Sequence, residues 1–240
     1  MTTAILKHII SAKKKGKKLI ALLLDPDKTK LSDLDEICEK IKNQAIHLIF
    51  IGGSTVQNNV THLFVESFKK KCALPILIFP GNHNQITNEA DAILFLSLLS
   101  GDNPEYLIHQ QIAAAPILKN TQLEIIPTAY ILIDGGNETA VQRVSKTKPI
   151  SQSDPTKIVH TALAGQYMGK QLIYLEAGSG AKTAIQASII SKVAKEVSVP
   201  LIVGGGLRTK EAIQTAFKHG ADMVVIGTVF EENQDFLNQL

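Results

Sequence analysis

Two kinds of hydrophobic pattern alternate along this chain. Short, mostly apolar runs are separated by segments in which apolar residues recur every three or four positions. Such runs are typical of parallel strands covered on both faces, and the longer spacing indicates helices that pack by one face. The predicted strands are 19–24, 48–51, 75–79, 92–96, 123–133, 172–175, 200–203 and 223–226.

Helical spacing follows most of the predicted strands. Helices are expected at 4–12, as a short leading element, then over 34–41, 56–68 and 105–114, and from Asp154 onward. The segment after the third strand is short and polar, which indicates an irregular third helix. The stretch 134–153 has neither pattern and is expected to be an irregular lid. Alternating strands and helices without a linker predict an α/β protein in which residues 1–240 form one (β/α)8 TIM-type barrel.

The last three predicted strands each end in small residues. Glycine at a strand's carboxyl end lets the backbone N–H groups approach a ligand, and the next helix adds oriented donors. Repeated in successive β–α units, this pattern predicts a phosphate site of the kind that barrels build late in their chains. The three loops are Glu176-Ala177-Gly178-Ser179-Gly180, Gly204-Gly205-Gly206 and Gly227-Thr228.

The composition favours a protein that handles small anionic molecules. Hydrophobic residues make up 45% of 240 residues, and the net charge of +3 requires no nucleic acid partner. No apolar run approaches the roughly 18 residues of a membrane span, and the start lacks a signal-peptide core. Two cysteines without metal spacing, Cys38 and Cys72, favour a reducing cytoplasm. The lysine-rich run 13–18 is either a solvated linker or a contact with anionic lipid surfaces.

Two carboxylates follow predicted strands where a barrel binds its ligands. Asp25 is either a turn residue before Pro26 or an oxygen ligand for Mg²⁺, and Ser54 after the second strand would supply another oxygen. Glu176 shares a strand face with Tyr174 and is either a general base beside the phosphate loop or the partner of a Lys or Arg. Arg208 either caps phosphate charge or pairs with an acid.

These motifs together resemble the geranylgeranylglyceryl phosphate synthases and their bacterial prenylglyceryl phosphate synthase relatives. The resemblance runs along nearly the whole chain. The motifs that carry it are Leu24-Asp25-Pro26-Asp27-Lys28, Ile51-Gly52-Gly53-Ser54-Thr55, Phe79-Pro80-Gly81-Asn82, Tyr174-Leu175-Glu176-Ala177-Gly178-Ser179-Gly180, Val203-Gly204-Gly205-Gly206-Leu207-Arg208 and Ile226-Gly227-Thr228.

The resemblance implies Mg²⁺-dependent transfer of a prenyl group, expected to be geranylgeranyl, from its diphosphate to the 3-hydroxyl of sn-glycerol 1-phosphate. It implies Mg²⁺ positions at Asp25 and Ser54, and Glu176 and Tyr174 as catalytic residues. The implied glycerol phosphate site comprises Tyr174, Leu175, Glu176, Ala177, Gly178, Ser179, Gly180, Gly204, Gly205, Gly206, Gly227 and Thr228. We also expect a homo-oligomer. The candidates for an apolar trench that takes the prenyl tail, each alternatively ordinary core, are Phe95, Leu98, Leu99 and Tyr106.

Three alternatives differ in the chemistry that they need. A phosphoribosyl-type isomerase barrel would use Asp25 and Asp134 as its acid–base pair, but such barrels repeat their phosphate glycines in the first half. A prenylglyceryl phosphate synthase with a longer donor would need a longer trench. A phosphate-binding barrel without enzymatic activity would bind glycerol phosphate and turn nothing over.

Overall fold

The computed structural model describes residues 4–42, 44–56 and 60–239. Within them, eight parallel strands form a closed barrel in sequence order. The strands are β1 (Leu19–Leu24), β2 (Leu48–Ile51), β3 (Ile76–Ile78), β4 (Ala92–Leu98), β5 (Glu124–Leu132), β6 (Leu172–Glu176), β7 (Leu201–Gly204) and β8 (Met223–Ile226). β8 pairs with β1, where Leu19 lies opposite Met223, and this pairing closes the barrel. The predicted (β/α)8 TIM-type barrel is confirmed.

Helices cover the outside of the barrel, except for the leading helix at its floor, and follow the predicted spacing. They are α1 (Ala4–Lys14), α2 (Leu34–Lys42), α3 (Val60–Lys69), α4 (Gln110–Leu118), α5 (Ala140–Ser145), α6 (Pro155–Tyr167), α7 (Ala187–Glu196), α8 (Lys210–Lys218) and α9 (Thr228–Glu232). A π-helical turn at Glu105–His109 leads into α4. Residues 57–59 of the helix predicted over 56–68 lie outside the described residues, as do positions 1–3, 43 and 240 of the predicted domain.

The region after β3 is irregular, as predicted. A single short 3₁₀ turn, His83–Gln85, stands where the other units of the barrel carry a helix. The prediction for 134–153 was partly wrong, because α5 forms inside it. Thr139 accepts a hydrogen bond from the backbone N–H of Gln142 and so caps this helix at its start.

Alternation along each strand sends side chains to two separate cores. One core fills the barrel and includes Leu48, Phe50 and Tyr174, while the other packs the strands against the helices and includes Ile49 and Leu175. Most strand residues are therefore buried on both faces, which explains why the strands are mostly apolar.

The leading helix closes the floor of the barrel. Ile5, Leu6 and Ile9 of α1 pack into the interior core. The carboxylate of Glu124, at the start of β5, accepts hydrogen bonds of 2.8 Å from the backbone N–H groups of Ile5 and Leu6. A buried acid thereby satisfies donors that the first turn of a helix cannot pair internally. This floor leaves the opposite end of the barrel for ligands.

The lysine-rich run lies at this floor. Lys13 pairs with Asp222 at 2.8 Å, and Lys18 donates to the carbonyl of Ala221, so both tie the run to the residues directly before β8. Lys14, Lys15 and Lys17 are exposed. In the part of the chain that the structure describes, no helix has the length and apolar character needed to cross a membrane.

Candidate active site

A cavity of about 310 Å³ opens at the carboxyl ends of the strands. Loops that follow strands on opposite sides of the barrel contribute to it, because a closed parallel barrel brings all its strand ends to one rim. Ten of the predicted site residues line the cavity, namely Asp25, Ser54, Tyr174, Glu176, Ser179, Gly180, Gly205, Gly206, Gly227 and Thr228.

Glu176 is a buried carboxylate at the end of β6. Its Oε1 accepts a hydrogen bond of 2.7 Å from the backbone N–H of Gly178, which fixes the side chain towards the glycine loops. Burial raises the pKa of Glu176, while hydrogen bonding to the carboxylate works in the opposite direction. In the described structure no Lys or Arg pairs with it, so it is not the ion-pair residue that one interpretation of the sequence allowed.

Tyr174 lies two residues earlier on the same face of β6. Its ring stacks on Phe79 at 5.5 Å between centroids and meets the edge of Tyr130 at 5.3 Å, so packing holds it in one orientation. The hydroxyl is fully buried and has no hydrogen bond of good geometry within the described residues. Burial, followed by the nearby charge of Glu176, raises the pKa of Tyr174 well above its usual range, so the hydroxyl is a donor at neutral pH.

Gly204 shows how close these two side chains come to one another. A Cβ atom on Gly204 would lie 2.5 Å from the Tyr174 hydroxyl and 2.7 Å from Glu176 Oε2. The Tyr174 hydroxyl, a donor, and the Glu176 carboxylate, an acceptor, therefore both lie beside Gly204. Only a glycine fits at that position.

The backbone of Gly205 and Gly206 is left-handed, with φ of +79° and +69°. A Cβ atom on Gly205 would lie 2.5 Å from Glu176 Oε1, so a larger residue would displace the carboxylate. Among the described residues, no acceptor bonds the backbone N–H groups of Ser179, Gly205 or Gly206. Such free donors at the end of strands favour an anion.

A hydrogen bond between two hydroxyl groups joins two of the glycine loops. Ser179 Oγ lies 3.1 Å from Thr228 Oγ1, which joins the loop after β6 to the start of α9. The loops after β6, β7 and β8 thus converge on one place, as their sequence predicted.

Four predicted members of the glycerol phosphate site do not line the cavity, namely Leu175, Ala177, Gly178 and Gly204. Leu175 and Ala177 point into the outer core, because alternation sends them away from Glu176. The N–H groups of Ala177 and Gly178 are already bonded, to the Gly204 carbonyl and to Glu176 respectively. The side chains of Leu175 and Ala177 therefore support the site from the outer core, and the paired N–H groups of Ala177 and Gly178 stay within the protein's own hydrogen bonds.

Asp25 faces the cavity from the loop after β1. Its Oδ1 accepts from the backbone N–H of Asp27 at 3.0 Å, and its Oδ2 lies 3.8 Å from Lys28 Nζ. Burial raises the pKa of Asp25, with the Asp27 N–H and the Lys28 charge opposing that shift. Asp25 is thus both a turn residue and a cavity carboxylate.

The donor set around Asp25 suits a magnesium ion that arrives with a substrate. Within the described ranges, no group of three or more His, Cys, Asp or Glu side chains is arranged to hold a metal. Asp25 and Ser54 are oxygen donors in the loops that follow the neighbouring strands β1 and β2, which fits Mg²⁺, an ion commonly bound by one or two carboxylates together with substrate phosphates.

An apolar arm of the cavity runs between β4 and α4. Phe95, Leu98 and Tyr106 line it, as predicted for the trench. Leu99 was predicted there too, but it lies on the outer side, where a Cβ atom on Gly165 of α6 would meet its Cδ1 at 2.9 Å. Val141 and Val144 of α5 cover the arm from above.

Comparison with known proteins agrees with this geometry. Residues 12–239 match the model of the PcrB family. A relative from Flavobacterium johnsoniae, named geranylgeranylglyceryl phosphate synthase, is 50% identical over 236 residues, covering 98% of this chain and 97% of the relative. The chain belongs to the PcrB family.

An archaeal relative and a solved structure support the same assignment. The Pyrococcus furiosus geranylgeranylglyceryl phosphate synthase is 40% identical over 229 residues, covering 94% of this chain and 89% of the relative. The (S)-3-O-geranylgeranylglyceryl phosphate synthase from Thermoplasma acidophilum, solved in complex with sn-glycerol 1-phosphate, superposes with a TM-score of 0.92 at 33% identity and covers 99% and 95% of the two chains. The predicted family and the prediction of a prenyltransferase enzyme are confirmed.

In this PcrB-family barrel, the isomerase alternative has no support. Asp134 is exposed, accepts from the backbone N–H of Gly136 and does not line the cavity. Arg208 pairs with Glu232 at 2.8 Å, so its acid-pairing interpretation is the one that the structure favours.

Sequence reasoning missed Gln85. This buried side chain donates to the carbonyl of Gly53 at 2.8 Å and accepts from the N–H of Gly81 at 3.3 Å. It ties the loop of Ser54 to the loop after β3 in the unit that lacks a helix. A glutamine in a short polar segment carries no local signal of this role, because one of its two partners, Gly53, lies 32 residues away in another loop.

Proposed function

We propose that this PcrB-family protein transfers a geranylgeranyl group from its diphosphate to the 3-hydroxyl of sn-glycerol 1-phosphate. The products are geranylgeranylglyceryl phosphate and pyrophosphate. The observation that carries the proposal is the meeting of the Tyr174 hydroxyl and the Glu176 carboxylate beside the glycine loops, in the same cavity as Asp25 and the apolar arm. The names of the relatives support the same reaction.

The glycerol phosphate binds through its phosphate to the glycine loops. The free N–H groups of Ser179, Gly205 and Gly206 surround the anion, and the hydroxyls of Ser179 and Thr228 add donors. With the phosphate anchored there, the short glycerol chain extends towards Tyr174 and Glu176.

Glu176 then takes the proton of the 3-hydroxyl. Its Oε1 is held by Gly178, so Oε2 beside the Tyr174 hydroxyl is the atom that accepts the proton. Burial raises the pKa of Glu176 towards the operating pH, which makes the carboxylate a stronger base. The Tyr174 hydroxyl orients the substrate oxygen by donating a hydrogen bond to it.

The bond that breaks joins the first prenyl carbon to the diphosphate oxygen, and the electron pair leaves with that oxygen. The glycerol oxygen forms the new bond to the same carbon. Asp25 and Ser54 would hold Mg²⁺, which when bound neutralises the charge of the departing pyrophosphate. The prenyl chain lies in the apolar arm, where Phe95, Leu98 and Tyr106 exclude water from the reacting carbon.

The test incubates the pure protein with labelled sn-glycerol 1-phosphate and prenyl diphosphates of several lengths, with and without Mg²⁺. We expect an ether-linked product, fastest with the twenty-carbon donor and dependent on Mg²⁺. Asp25→Asn should abolish the Mg²⁺-dependent turnover and leave glycerol phosphate binding intact. Faster reaction with a much longer donor would show an apolar arm that is open at its far end, and binding of glycerol phosphate without product would contradict the proposal.

We also propose a cytoplasmic homo-oligomer with a peripheral contact to anionic lipid. The two free cysteines support the reducing compartment. The lipid contact is supported by three exposed lysines, Lys14, Lys15 and Lys17. They lie at the floor of the barrel, opposite the cavity, and therefore do not deliver the prenyl donor to the site. The test is co-sedimentation of the protein with anionic vesicles. If the contact exists, the parent should sediment with the vesicles more strongly than a variant with Lys→Gln changes at these three positions.

A further inference from the structure

Lys28 is a cation held at the mouth of the cavity by two carboxylates. Its Nζ lies 3.0 Å from Glu231 of α9 and 3.8 Å from Asp25 Oδ2, and the residue lines the cavity. The backbone N–H groups of Lys28 and Thr29 both donate to the carbonyl of Asp25, at 3.0 and 2.9 Å. This turn keeps the ammonium on the same side as the Asp25 carboxylate.

Among the charged side chains at the mouth of the cavity, Lys28 is the cation nearest to the Asp25 carboxylate. Within the described residues it is the only Lys, Arg or His side chain within 4.0 Å of that carboxylate. Arg208, the other strong cation of the cavity, lies beyond Gly206 and pairs with Glu232. Consecutive acids of α9 therefore hold the two cations apart, one at the Asp25 side and one at the glycine-loop side.

The contact between Lys28 and Asp25 is loose, and the Lys28 side chain is half exposed. A loosely paired ammonium is free to exchange one carboxylate for a more highly charged anion without a rearrangement of the backbone. A diphosphate next to Asp25 is such an anion, and a compact, strongly hydrated point charge is well suited to it.

We propose that Lys28 contacts the diphosphate of the prenyl donor, and that Glu231 is a positioning residue that holds the ammonium at the mouth before the donor arrives. This inference rests on the proposed function. When the carbon–oxygen bond breaks, negative charge grows on the departing diphosphate oxygen. An ammonium placed there beforehand stabilises that charge more than it stabilises the bound donor, so it acts on kcat as well as on KM.

The test compares Lys28→Met with Lys30→Met, a change two residues away at an exposed position that does not line the cavity. Binding of inorganic pyrophosphate is measured by calorimetry in the presence of Mg²⁺, and kinetics are measured for both substrates. We expect about tenfold weaker pyrophosphate binding and a higher donor KM for Lys28→Met, an unchanged glycerol phosphate KM, and parent-like behaviour for Lys30→Met. Lys28→Arg keeps the charge and should restore most of the affinity.

The role of Glu231 is tested by a double-mutant cycle. Glu231→Ala should raise the donor KM in the parent protein and cause no further loss in the Lys28→Met background, because its effect passes through Lys28. A lower donor KM for Glu231→Ala would show that Glu231 competes with the donor and would overturn its positioning role.

The failure of this inference and that of the proposed function are distinguishable. If Lys28→Met binds pyrophosphate and turns over the donor like the parent, the assignment of Lys28 is overturned while the function stands. If the parent itself makes no ether product, the proposed function fails whatever the pyrophosphate measurement gives. Thermal unfolding of each variant confirms that the exposed substitutions leave the barrel folded.

Discussion

Both carboxylate oxygens of Asp25 lie 2.9 Å from the position that a Cβ atom on Gly53 would occupy. β1 and β2 are neighbours in the barrel, so the loop that carries Ser54 passes directly beside the carboxylate. Gly53 therefore links the two proposed magnesium ligands, Asp25 and Ser54. A side chain at Gly53 would collide with the Asp25 carboxylate.

Gly53→Ala should displace the Asp25 carboxylate while the protein still folds, because the atoms that must move are at the end of a side chain. We expect about a 10²-fold loss of turnover, as is typical when a reacting group is misplaced by about 1 Å. The measurement is kcat against Mg²⁺ concentration. Parent-like activity at every Mg²⁺ concentration, or a changed glycerol phosphate KM in place of a changed kcat, would contradict the assignment.

Gly205→Ala should raise the KM of glycerol phosphate more than that of the prenyl donor. The new Cβ atom would lie 2.5 Å from Glu176 Oε1 and 2.6 Å from the N–H nitrogen of Gly178. Gly16→Ala is the matched control, because Gly16 has a similar φ of +66° with nothing within 4 Å. Gly16→Ala should lose about 1–3 kcal/mol of unfolding free energy from the left-handed backbone, and Gly205→Ala should lose more, because its Cβ atom also meets backbone atoms. Equal effects on the two KM values would argue against a phosphate site at Gly205.

Glu176→Gln should lower kcat by about 10²–10⁴-fold, with a smaller change in KM. Because only the ionised carboxylate takes a proton, and because burial raises its pKa, the parent's rate should fall as the pH drops through a value above that of an ordinary glutamate. A pH–rate profile of both proteins measures this. A loss confined to the glycerol phosphate KM would make Glu176 a binding residue.

The same substitution should change how stability depends on pH. A carboxyl group whose pKa is raised on folding holds its proton more tightly in the native state, so the parent loses stability as the pH rises from the ordinary to the raised value. Glu176→Gln does not ionise and should lack that loss. Chemical denaturation at several pH values compares the two slopes.

Tyr174→Phe should change stability little, because the buried hydroxyl lies beside the Glu176 carboxylate but makes no hydrogen bond of good geometry in the described structure. Turnover should nevertheless fall, since the substrate loses the donor that orients its oxygen. Tyr167→Phe, at an exposed position, is the control. If Tyr174→Phe instead destabilises the protein and keeps full turnover, the hydroxyl has a structural role.

Glu124→Gln should destabilise the barrel by about 1–3 kcal/mol without changing either KM. The parent carboxylate accepts from both Ile5 and Leu6, whereas a glutamine has a single acceptor oxygen for these two donors. Urea unfolding and steady-state kinetics measure the two effects. A change in KM would mean that the floor of the barrel is coupled to its mouth.

The strand pattern, the missing third helix and the three glycine loops were predictable from the sequence. Each is a local property, because burial on both faces makes a strand apolar and a left-handed turn selects glycine within a few residues. Asp25 and Glu176 were predictable for a related reason. In a parallel barrel, the residue after an apolar strand reaches the rim whatever the rest of the chain does.

Only the tertiary structure decided which groups in those loops are free. The N–H of Gly178 is taken by Glu176, the hydroxyl of Tyr174 lies against the Glu176 carboxylate, and Gln85 joins its own loop to the loop of Gly53. The barrel also places Leu99 outside the cavity and folds a helix within 134–153. The bond from Gln85 to Gly53 joins residues 32 positions apart that the barrel brings together, and such a contact leaves no periodicity or spacing in the sequence.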